Sequence, residues 1–589
     1  MSNYKKILNN NNAIELDGKV ILRFDPRYKD YLEWKAENPD LEKKLVDEME
    51  KEQVIKLEEA KENTVQGRAQ NYKLGRHDAS SAAPDDYDTE AVPVSVHGLD
   101  ALADVRDDLN KVGPGFCLAK WTQVTILLQT GQTHSCHHPR PHKIPLHEIK
   151  DNPSALHNTV YKKLQRKSML KGGRPPECDY CWNVEDANPN AFSDRTMKSG
   201  EGWSYPHFGD IKKSTGDENI QPTYVEISFS NQCNMACAYC DVKSSSRWQS
   251  EIASKGYYPT SGQYNNTTWM RREGTIPIPH TQPNPYRDAF WKWWPDLFPS
   301  LHTFRITGGE PLLQKDTFKV LDYIIKNPTV NPNIELGINS NLSIPDEQWD
   351  EFLYKVKYIT ENNLVKNFVL FTSTEAWGEQ AEYIRDGMDS KILWKRVEEF
   401  LKKCEKPEVT IMAAFNALSV TTYRKVIEKV YRLKKTYHSD KRYRDYSIIL
   451  DTSYVRHPEF LDYRILTDDW LEKISDMAVL MEDLGMHQFD KAVDAHSAVG
   501  WFDFEQEKVR RMSDMTPPDD EWVNKQRKDF YLFITEYDKR REKNFLETFP
   551  EMEDFYNICK KIKEFNYSIT GTWGGDGHMD ESGLWKKEE

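Results

Sequence analysis

One short loop carries three cysteines at the spacing C-x3-C-x2-C. Cys233, Cys237 and Cys240 stand in the segment SFSNQCNMACAYCDVKS, directly after the apolar run TYVEISFS. Each iron of a four-iron cluster binds one thiolate, so three cysteines on a tight loop would leave the fourth iron open. An open iron can chelate a small molecule through an amine and a carboxylate. The alternative is a zinc site with a distant fourth ligand.

A second motif, Gly308-Gly309-Glu310-Pro311, ends the apolar run FRIT. Two glycines allow backbone to approach a ligand closely, and Glu310 could accept a hydrogen bond from an ammonium group. The motif lies one strand–helix crossover after the cysteine loop, enlarged by an insert at 243–300. A second contact to a cluster-bound amino acid should come from this place, and the methionine end of S-adenosylmethionine is such an amino acid.

Four further cysteines form a separate set before this region. Thirteen residues separate Cys117 from Gly131 and four more precede Cys136, while Cys178 and Cys181 form a C-x2-C pair. Four thiolates can enclose an iron–sulfur cluster or a zinc ion. Nearby histidines make zinc the alternative at this site. They are His137, His138 and His142.

Residues 219–455, which contain the cysteine triad and the GGEP motif, alternate short apolar runs with helical patterns. Strands are predicted at TYVEISFS, HTFRIT, IELGINS, NFVLFTS, VTIMAAF and YSIILDTS, and helices over 315–326, 346–357, 379–404 and 420–436. This alternation predicts an α/β fold with a parallel sheet or barrel, with its chemistry at the carboxyl ends of the strands. The run WTQVTILLQ, followed by a turn at 130–132, predicts an earlier strand. In the insert, FWKWWPDLF predicts an amphipathic helix packed on the sheet, the alternative being an aromatic roof over the substrate.

The remaining segments and the composition set limits on function. Residues 1–95 read as a charged helical extension and linker, and 456–589 as a polar, partly helical extension ending in a flexible tail, GTWGGDGHMD. The formal net charge of −14 argues against tight, sequence-blind binding to nucleic acid. No apolar run is long enough to span a membrane. Nine cysteines without a secretory signal predict metal ligation in the cytoplasm.

The cysteine triad and the GGE motif resemble those of the radical S-adenosylmethionine superfamily. Three later segments agree in order: Asn339-Ser340-Asn341, FVLFTSTEAWGEQAEYIRDGMD and VTIMAAFNALS. Leu342 replaces the glycine that follows the first of these in the family. The resemblance covers 219–455 and implies a partial (β/α)6 TIM-like barrel that cleaves S-adenosylmethionine to a 5′-deoxyadenosyl radical. That radical removes a hydrogen atom from a substrate.

The resemblance also implies a role for each matching residue. Cys233, Cys237 and Cys240 would bind a [4Fe–4S] cluster with an open iron. The cofactor contacts would be Tyr239 at the adenine, Gly308, Gly309 and Glu310 at the amino group, Asn339 and Ser373 at the ribose, and Arg385 at the carboxylate.

The second cysteine set resembles the SPASM and twitch auxiliary-cluster domains, whose signature is C-x(9–15)-G-x4-C. This implies a small α+β twitch-like domain over 96–205, holding an auxiliary [4Fe–4S] cluster on Cys117, Cys136, Cys178 and Cys181. Two features depart from the family pattern. The domain precedes the barrel instead of following it, and the later cysteines of a full SPASM domain are missing. The arrangement is similar to that of proteins encoded by large tailed phages.

Three functions remain open from the sequence. Auxiliary-cluster domains favour a peptide or protein side chain as substrate, with an electron donor such as flavodoxin or ferredoxin. Twitch-like forms also act on a small molecule or nucleotide. The third hypothesis is a non-catalytic, zinc-stabilised interaction protein whose charged N-terminal helix docks a partner.

Overall fold

The computed structural model describes residues 99–569, except 189, 263, 440, 443–445 and 487–499, and five short strands outside that range. The chain divides into two units, Met1–Tyr87 and Asp88–Glu589. In the first unit an antiparallel sheet contains β1 Tyr4–Leu8, β2 Ala13–Leu16 and β3 Lys19–Leu22. The charged helix and linker predicted within 1–95 lie outside the described residues.

The second unit is built on a nine-stranded sheet in the order β14-β13-β11-β10-β9-β7-β4-β5-β6. From β14 to β4 all neighbours are parallel, and β5 and β6 are antiparallel additions at one edge. The α/β class is therefore confirmed. The strands of this sheet are β4 Gln123–Leu127, β5 Gln132–His134, β6 His142–Lys143, β7 Tyr224–Ser228, β9 Thr303–Thr307, β10 Glu335–Ser340, β11 Asn367–Ser373, β13 Glu408–Phe415 and β14 Ile448–Tyr454. Two short antiparallel pairs lie outside it: β8 Ala236–Cys237 with β12 Arg385–Asp386, and β15 Gly577–Met579 with β16 Trp585–Lys587.

Strand β4 joins the two cysteine-bearing regions. It comes from the segment predicted as a separate cluster domain, yet it pairs in parallel with β7 from Gln123↔Tyr224 to Leu127↔Ser228. The predicted turn at 130–132 leads into β5, so β4 and β5 form an antiparallel hairpin. The segments 96–205 and 219–455 thus share one sheet, and the sequence-based domain boundaries stay predictions.

The helices agree with the predicted pattern except in one place. They are α1 Leu99–Val112, α2 Ala119–Thr122, α3 Leu146–Asp151, α4 Val160–Leu170, α5 Asp179–Ala187, α6 Asp194–Ser199, α7 Phe208–Ile211, α8 Ser246–Lys255, α9 Thr267–Arg272, α10 Pro285–Leu297, α11 Lys315–Lys326, α12 Asp346–Glu361, α13 Glu379–Ile384, α14 Ser390–Lys403, α15 Tyr423–Thr436, α16 Asp468–Met486, α17 Asp503–Asp514, α18 Asp520–Arg541, α19 Phe545–Thr548 and α20 Glu553–Ile569.

The single helix predicted over 379–404 is wrong. Helix α13 ends at Ile384, strand β12 follows, and α14 begins at Ser390. Gly387 has a φ of 98°, which a helix does not allow, and the Asp389 side chain accepts from the Lys391 and Ile392 amides to start α14. Apolar spacing alone did not reveal this break, because α13 and α14 both bury an apolar face.

Helices cover one face of the sheet. Phe304 and Ile306 of β9 are fully buried there, and Phe304 packs against Phe290 and Trp294 of α10. This confirms the amphipathic helix predicted for FWKWWPDLF. Side chains alternate along a strand, so Arg305 and Thr307 point to the other face, where they are half-buried.

Candidate functional site

A cavity of about 280 Å³ lies at the carboxyl ends of the parallel strands. The three cysteines of the C-x3-C-x2-C motif line it together with residues from the ends of β9, β10 and β11. Of the predicted cofactor contacts, only Glu310 is not part of the lining. The lining residues predicted from sequence are Cys233, Cys237, Cys240, Tyr239, Gly308, Gly309, Asn339, Ser373 and Arg385.

The insert holds the cysteine loop from behind. The Trp248 indole donates to the Cys237 carbonyl (2.9 Å), and the Tyr264 hydroxyl donates to the Ala238 carbonyl (2.8 Å). The Ser245 hydroxyl donates to the Met235 carbonyl (2.6 Å). None of the insert's described aromatic side chains lines the cavity. Trp248 and Tyr264 support the loop, whereas Phe290 and Trp294 pack on β9. The alternative of an aromatic roof over the substrate stays a prediction.

Strand β12 holds the same loop from the other side. Arg385 pairs with Cys237 and Asp386 with Ala236 in an antiparallel ladder, and the Ala238 amide donates to the Ile384 carbonyl (2.7 Å). The break between α13 and α14 therefore brings Arg385 beside the cysteine loop.

The two glycines of the GGE motif pack directly on the cysteine loop. A Cβ on Gly309 would lie 2.2 Å from the Gln232 carbonyl oxygen. Gly308 has a φ of 116°, and a Cβ there would lie 2.5 Å from the Ser228 hydroxyl. Only glycine allows this approach. The strand end of β9 and the loop after β7 are thus fixed against each other.

Glu310 is fully buried behind the cavity wall. Its carboxylate accepts from the Leu312 amide (2.9 Å), the Ser340 hydroxyl (2.8 Å) and the Asn341 amide (2.6 Å). Burial raises the pKa of Glu310 to about 7, although these three hydrogen bonds oppose the rise. The carboxylate ties the GGEP turn to the end of β10. Its contact with an amino group stays a prediction.

Arg385 forms a buried ion pair with Glu375, a residue that the sequence did not single out. The Arg385 Nη2 to Glu375 Oε2 distance is 2.7 Å, and the Tyr239 hydroxyl donates to the same oxygen at 3.2 Å. Burial raises the pKa of Glu375, while the Arg385 charge counters it. Glu375 therefore positions both predicted contacts. The available signal was an acidic residue two positions after Ser373, just beyond the end of β11.

Asn339 lies in β10 and Leu342 lies just after it. The Asn339 side-chain oxygen accepts from Arg305 Nε at 3.0 Å, so its amide group is oriented by a neighbour within the sheet. Leu342 has a φ of 57° and is fully buried. Glycine adopts this left-handed conformation without strain, whereas leucine adopts it at a cost of about 1 kcal/mol.

The three thiols of the triad line one cavity. Three cysteines on one loop are the donor set that a four-iron cube with one open iron would use. Among the described residues, no group of three or more His, Cys, Asp or Glu side chains is placed to hold a single metal ion, and this applies equally to both cysteine sets. Burial raises the pKa of all three thiols, for Cys233 to about 12. A positively charged cluster core would offset this cost of forming thiolates.

The four other cysteines also meet at one place. They surround a space of about 20 Å³, together with Met169 and Trp182. Cys117 precedes α2 and Cys136 follows β5, whereas Cys178 and Cys181 lie at the start of α5. Burial raises the pKa of each of the four thiols. All four cysteines of the predicted set line this one space, and their role as metal ligands stays a prediction.

Charged side chains lie at and near this second site. Arg195, Lys198 and Asp194 line the space itself. The Lys120 ammonium pairs with Glu177, and its pKa is raised although burial opposes it, because Cys178 and Glu177 are close. Four thiolates around either a [4Fe–4S] cluster or a zinc ion would form a dianionic centre here.

Two of the three histidines near this site, His138 and His142, contact other side chains of the protein. His138 Nε2 lies 2.7 Å from Asp194 Oδ2 and its ring stacks on Tyr180, with the centroids 3.6 Å apart. His142 Nε2 lies 2.9 Å from the Thr159 hydroxyl. His137 is exposed, and burial of part of its ring lowers its pKa.

No protein-family model matches this chain, and none of the curated proteins compared with it matches its sequence. Across the described helices, none combines the length and apolar character needed to cross a membrane.

Proposed function

We propose that this chain is a radical S-adenosylmethionine enzyme. One observation carries the proposal: a single cavity at the carboxyl ends of parallel strands collects the cysteine triad and nearly all cofactor contacts expected from the motifs. Six of the parallel strands, β7, β9, β10, β11, β13 and β14, would form the partial (β/α)6 TIM-like barrel. Cys233, Cys237 and Cys240 would hold a [4Fe–4S] cluster, which supplies the electron that cleaves S-adenosylmethionine to methionine and a 5′-deoxyadenosyl radical.

The protein's own groups would bind and orient the cofactor. Arg385, fixed by Glu375, would bind the methionine carboxylate, and the backbone of Gly308 and Gly309 would border the amino group. Tyr239, held by its hydroxyl on Glu375, would pack against the adenine. Side chains and backbone that are already fixed lose little entropy on binding.

The second cysteine set would hold an auxiliary [4Fe–4S] cluster of the twitch type. Such a cluster could exchange an electron with the substrate, and a flavodoxin or ferredoxin could supply electrons to the protein. A [4Fe–4S] cluster and a zinc ion, each with four thiolates, would both form a dianionic centre there. Metal analysis of anaerobically purified protein distinguishes these, since two cubanes give about eight irons per chain.

Anaerobic reconstitution followed by an assay for 5′-deoxyadenosine tests the proposal. The reduced protein should form 5′-deoxyadenosine from S-adenosylmethionine, and Cys233→Ala should abolish it while leaving the iron of the second site. Zinc without iron in anaerobic protein would support the third hypothesis, a zinc-stabilised interaction protein. A peptide or protein substrate stays a sequence-based prediction. The ion pair between Arg305 and Glu226 on the sheet instead favours a small polar molecule.

A further inference from the structure

A loose ion pair lies on the cavity-bearing face of the sheet. Arg305 of β9 and Glu226 of β7 are direct neighbours in the parallel register. Arg305 Nη1 lies 3.8 Å from Glu226 Oε2, beyond hydrogen-bonding distance. The exposed fractions of their side chains are 18% and 15%. The two charges are therefore close together, not sealed from solvent and not bonded to each other.

This pair adjoins the cofactor cavity. Thr307, two residues after Arg305 on the same face, lines the cavity, so Arg305 lies about 7 Å deeper along β9. Arg305 Nε donates to Asn339 Oδ1 (3.0 Å), and Nη2 lies 3.1 Å from the Met412 sulfur. Asn339 and Met412 both line the cavity. A molecule held by Arg305 would thus lie next to the place where the radical is formed.

The Arg305 side chain is held in place before any ligand arrives. Its guanidinium lies over the Phe371 ring, 4.1 Å from the centroid. The register neighbour on β10 is Gly337, where a Cβ would lie only 2.9 Å from Phe371 Cε2. A glycine in the middle of a strand makes room for another group. Here it lets Phe371 and Arg305 stack, which leaves the guanidinium preorganised.

The hydrogen-bond partners of Arg305 among the described residues are neutral groups. They are the Asn339 oxygen, the Met412 sulfur, which is a weak acceptor, and the Tyr224 hydroxyl. Within the described part of the chain, the Glu226 carboxylate accepts no hydrogen bond. A closed ion pair reaches about 2.7–2.9 Å, whereas this one stays at 3.8 Å, so both charges remain available to an ionic ligand.

We propose that Arg305 and Glu226 form a substrate subsite for a zwitterionic group, with the carboxylate on Arg305 and the ammonium on Glu226. A free α-amino acid carries a carboxylate and an ammonium on one carbon. Its two charges can therefore face Arg305 and Glu226 at the same time, because these two side chains are neighbours. The claim that the bound molecule is the substrate rests on the proposed function. The binding itself does not, and it is tested without turnover.

Matched probes test the subsite in full-length, anaerobically reconstituted protein saturated with S-adenosylmethionine. They are the free amino acid, its amide and its N-acetyl derivative, for alanine, phenylalanine and glutamate, with binding measured by saturation-transfer NMR. For at least one side chain, we expect the free amino acid to bind roughly tenfold more tightly than either derivative, which corresponds to about 1.4 kcal/mol. Arg305→Gln should remove the preference over the amide. Glu226→Gln should remove the preference over the N-acetyl form, and Arg271→Gln, at an exposed arginine, should change neither.

Several results would overturn the proposal. These are no binding by any probe, equal binding of the three forms, or an unchanged preference in both Gln variants. A loss of S-adenosylmethionine affinity in Arg305→Gln without an effect on the probes would place the pair in the cofactor site instead. If Arg305→Gln does not fold, Arg305→Lys, which keeps the charge, and Glu226→Gln decide the question. Failure to form 5′-deoxyadenosine alongside an intact probe preference would reject the proposed function and leave the subsite standing.

Discussion

The two cysteine sites differ in how much room they leave. Three cysteines face a cavity of about 280 Å³ lined by strand ends, whereas four cysteines surround about 20 Å³ beneath Trp182 and Met169. The site with three thiols therefore has the larger free volume, and the site with four thiols has the smaller one. A site with a missing ligand and space beside it suits a centre that binds a second molecule. A closed site suits a centre that only carries charge or stabilises the fold.

Removing one thiol from the four-cysteine site tests whether the two sites have separate roles. Cys178→Ala should reduce the iron content from about eight atoms per chain to about four, since a cubane needs its protein thiolates. The triad keeps all its ligands, so 5′-deoxyadenosine should still form. Iron analysis and the product assay check this. Loss of the iron of both clusters, together with loss of the product, would show that the two sites are not independent.

Removing the charge partner of Arg385 tests how the open site is held. Glu375→Gln leaves a buried guanidinium without its counter-charge, so the free energy of unfolding should fall by about 3–5 kcal/mol. Urea denaturation measures this. Glu382→Gln is the control and should cause a smaller loss. Among the described contacts, the Glu382 carboxylate accepts hydrogen bonds from the Ser390 amide and hydroxyl and forms no buried ion pair. An equal loss in both variants would count against a special role for the Arg385–Glu375 pair.

The open site should also respond to pH through Glu310. The folded-state pKa of about 7 lies above the ordinary value of 4.5, so the fold binds more protons than the unfolded chain between these values. Stability should therefore fall as pH rises from about 4.5 to about 7, by roughly 3 kcal/mol at most, and level off above that. Glu310→Gln should flatten this part of the profile. A profile of the same slope in the variant would contradict the assignment.

The smallest effect is expected from one added methyl group. Gly309→Ala places a Cβ against the Gln232 carbonyl and should lower the free energy of unfolding by about 1–3 kcal/mol, because backbone must move. Gly209→Ala, where nothing lies within 4 Å of the added carbon, is the matched control. The control should be neutral or stabilising by a few tenths of a kcal/mol. Equal behaviour of both variants would mean that the glycine contact does not fix the loop.

Local pattern predicted the strands and both cysteine sets, but not the contacts that cross the sheet. Six strands and helix α11 follow from apolar periodicity and agree with the prediction within two residues. The strands are β7, β9, β10, β11, β13 and β14. The pairing of β4 with β7 joins residues a hundred positions apart, and periodicity carries no information about such partners. Glu375 and Arg305 were missed for a related reason. Each is an ordinary charged residue in the sequence, and only the packing of neighbouring strands gives it a partner.

The parallel pairing of β4 with β7 has a practical consequence for dissecting the protein. Expression of the chain from residue 219 onward would remove β4 and expose the backbone amides and carbonyls on that edge of β7, while β9 would still pair with the other edge. Unprotected edges of this kind recruit strands from other molecules. A shortened fragment should therefore aggregate, and truncation is a poor way to separate the roles of the two metal centres.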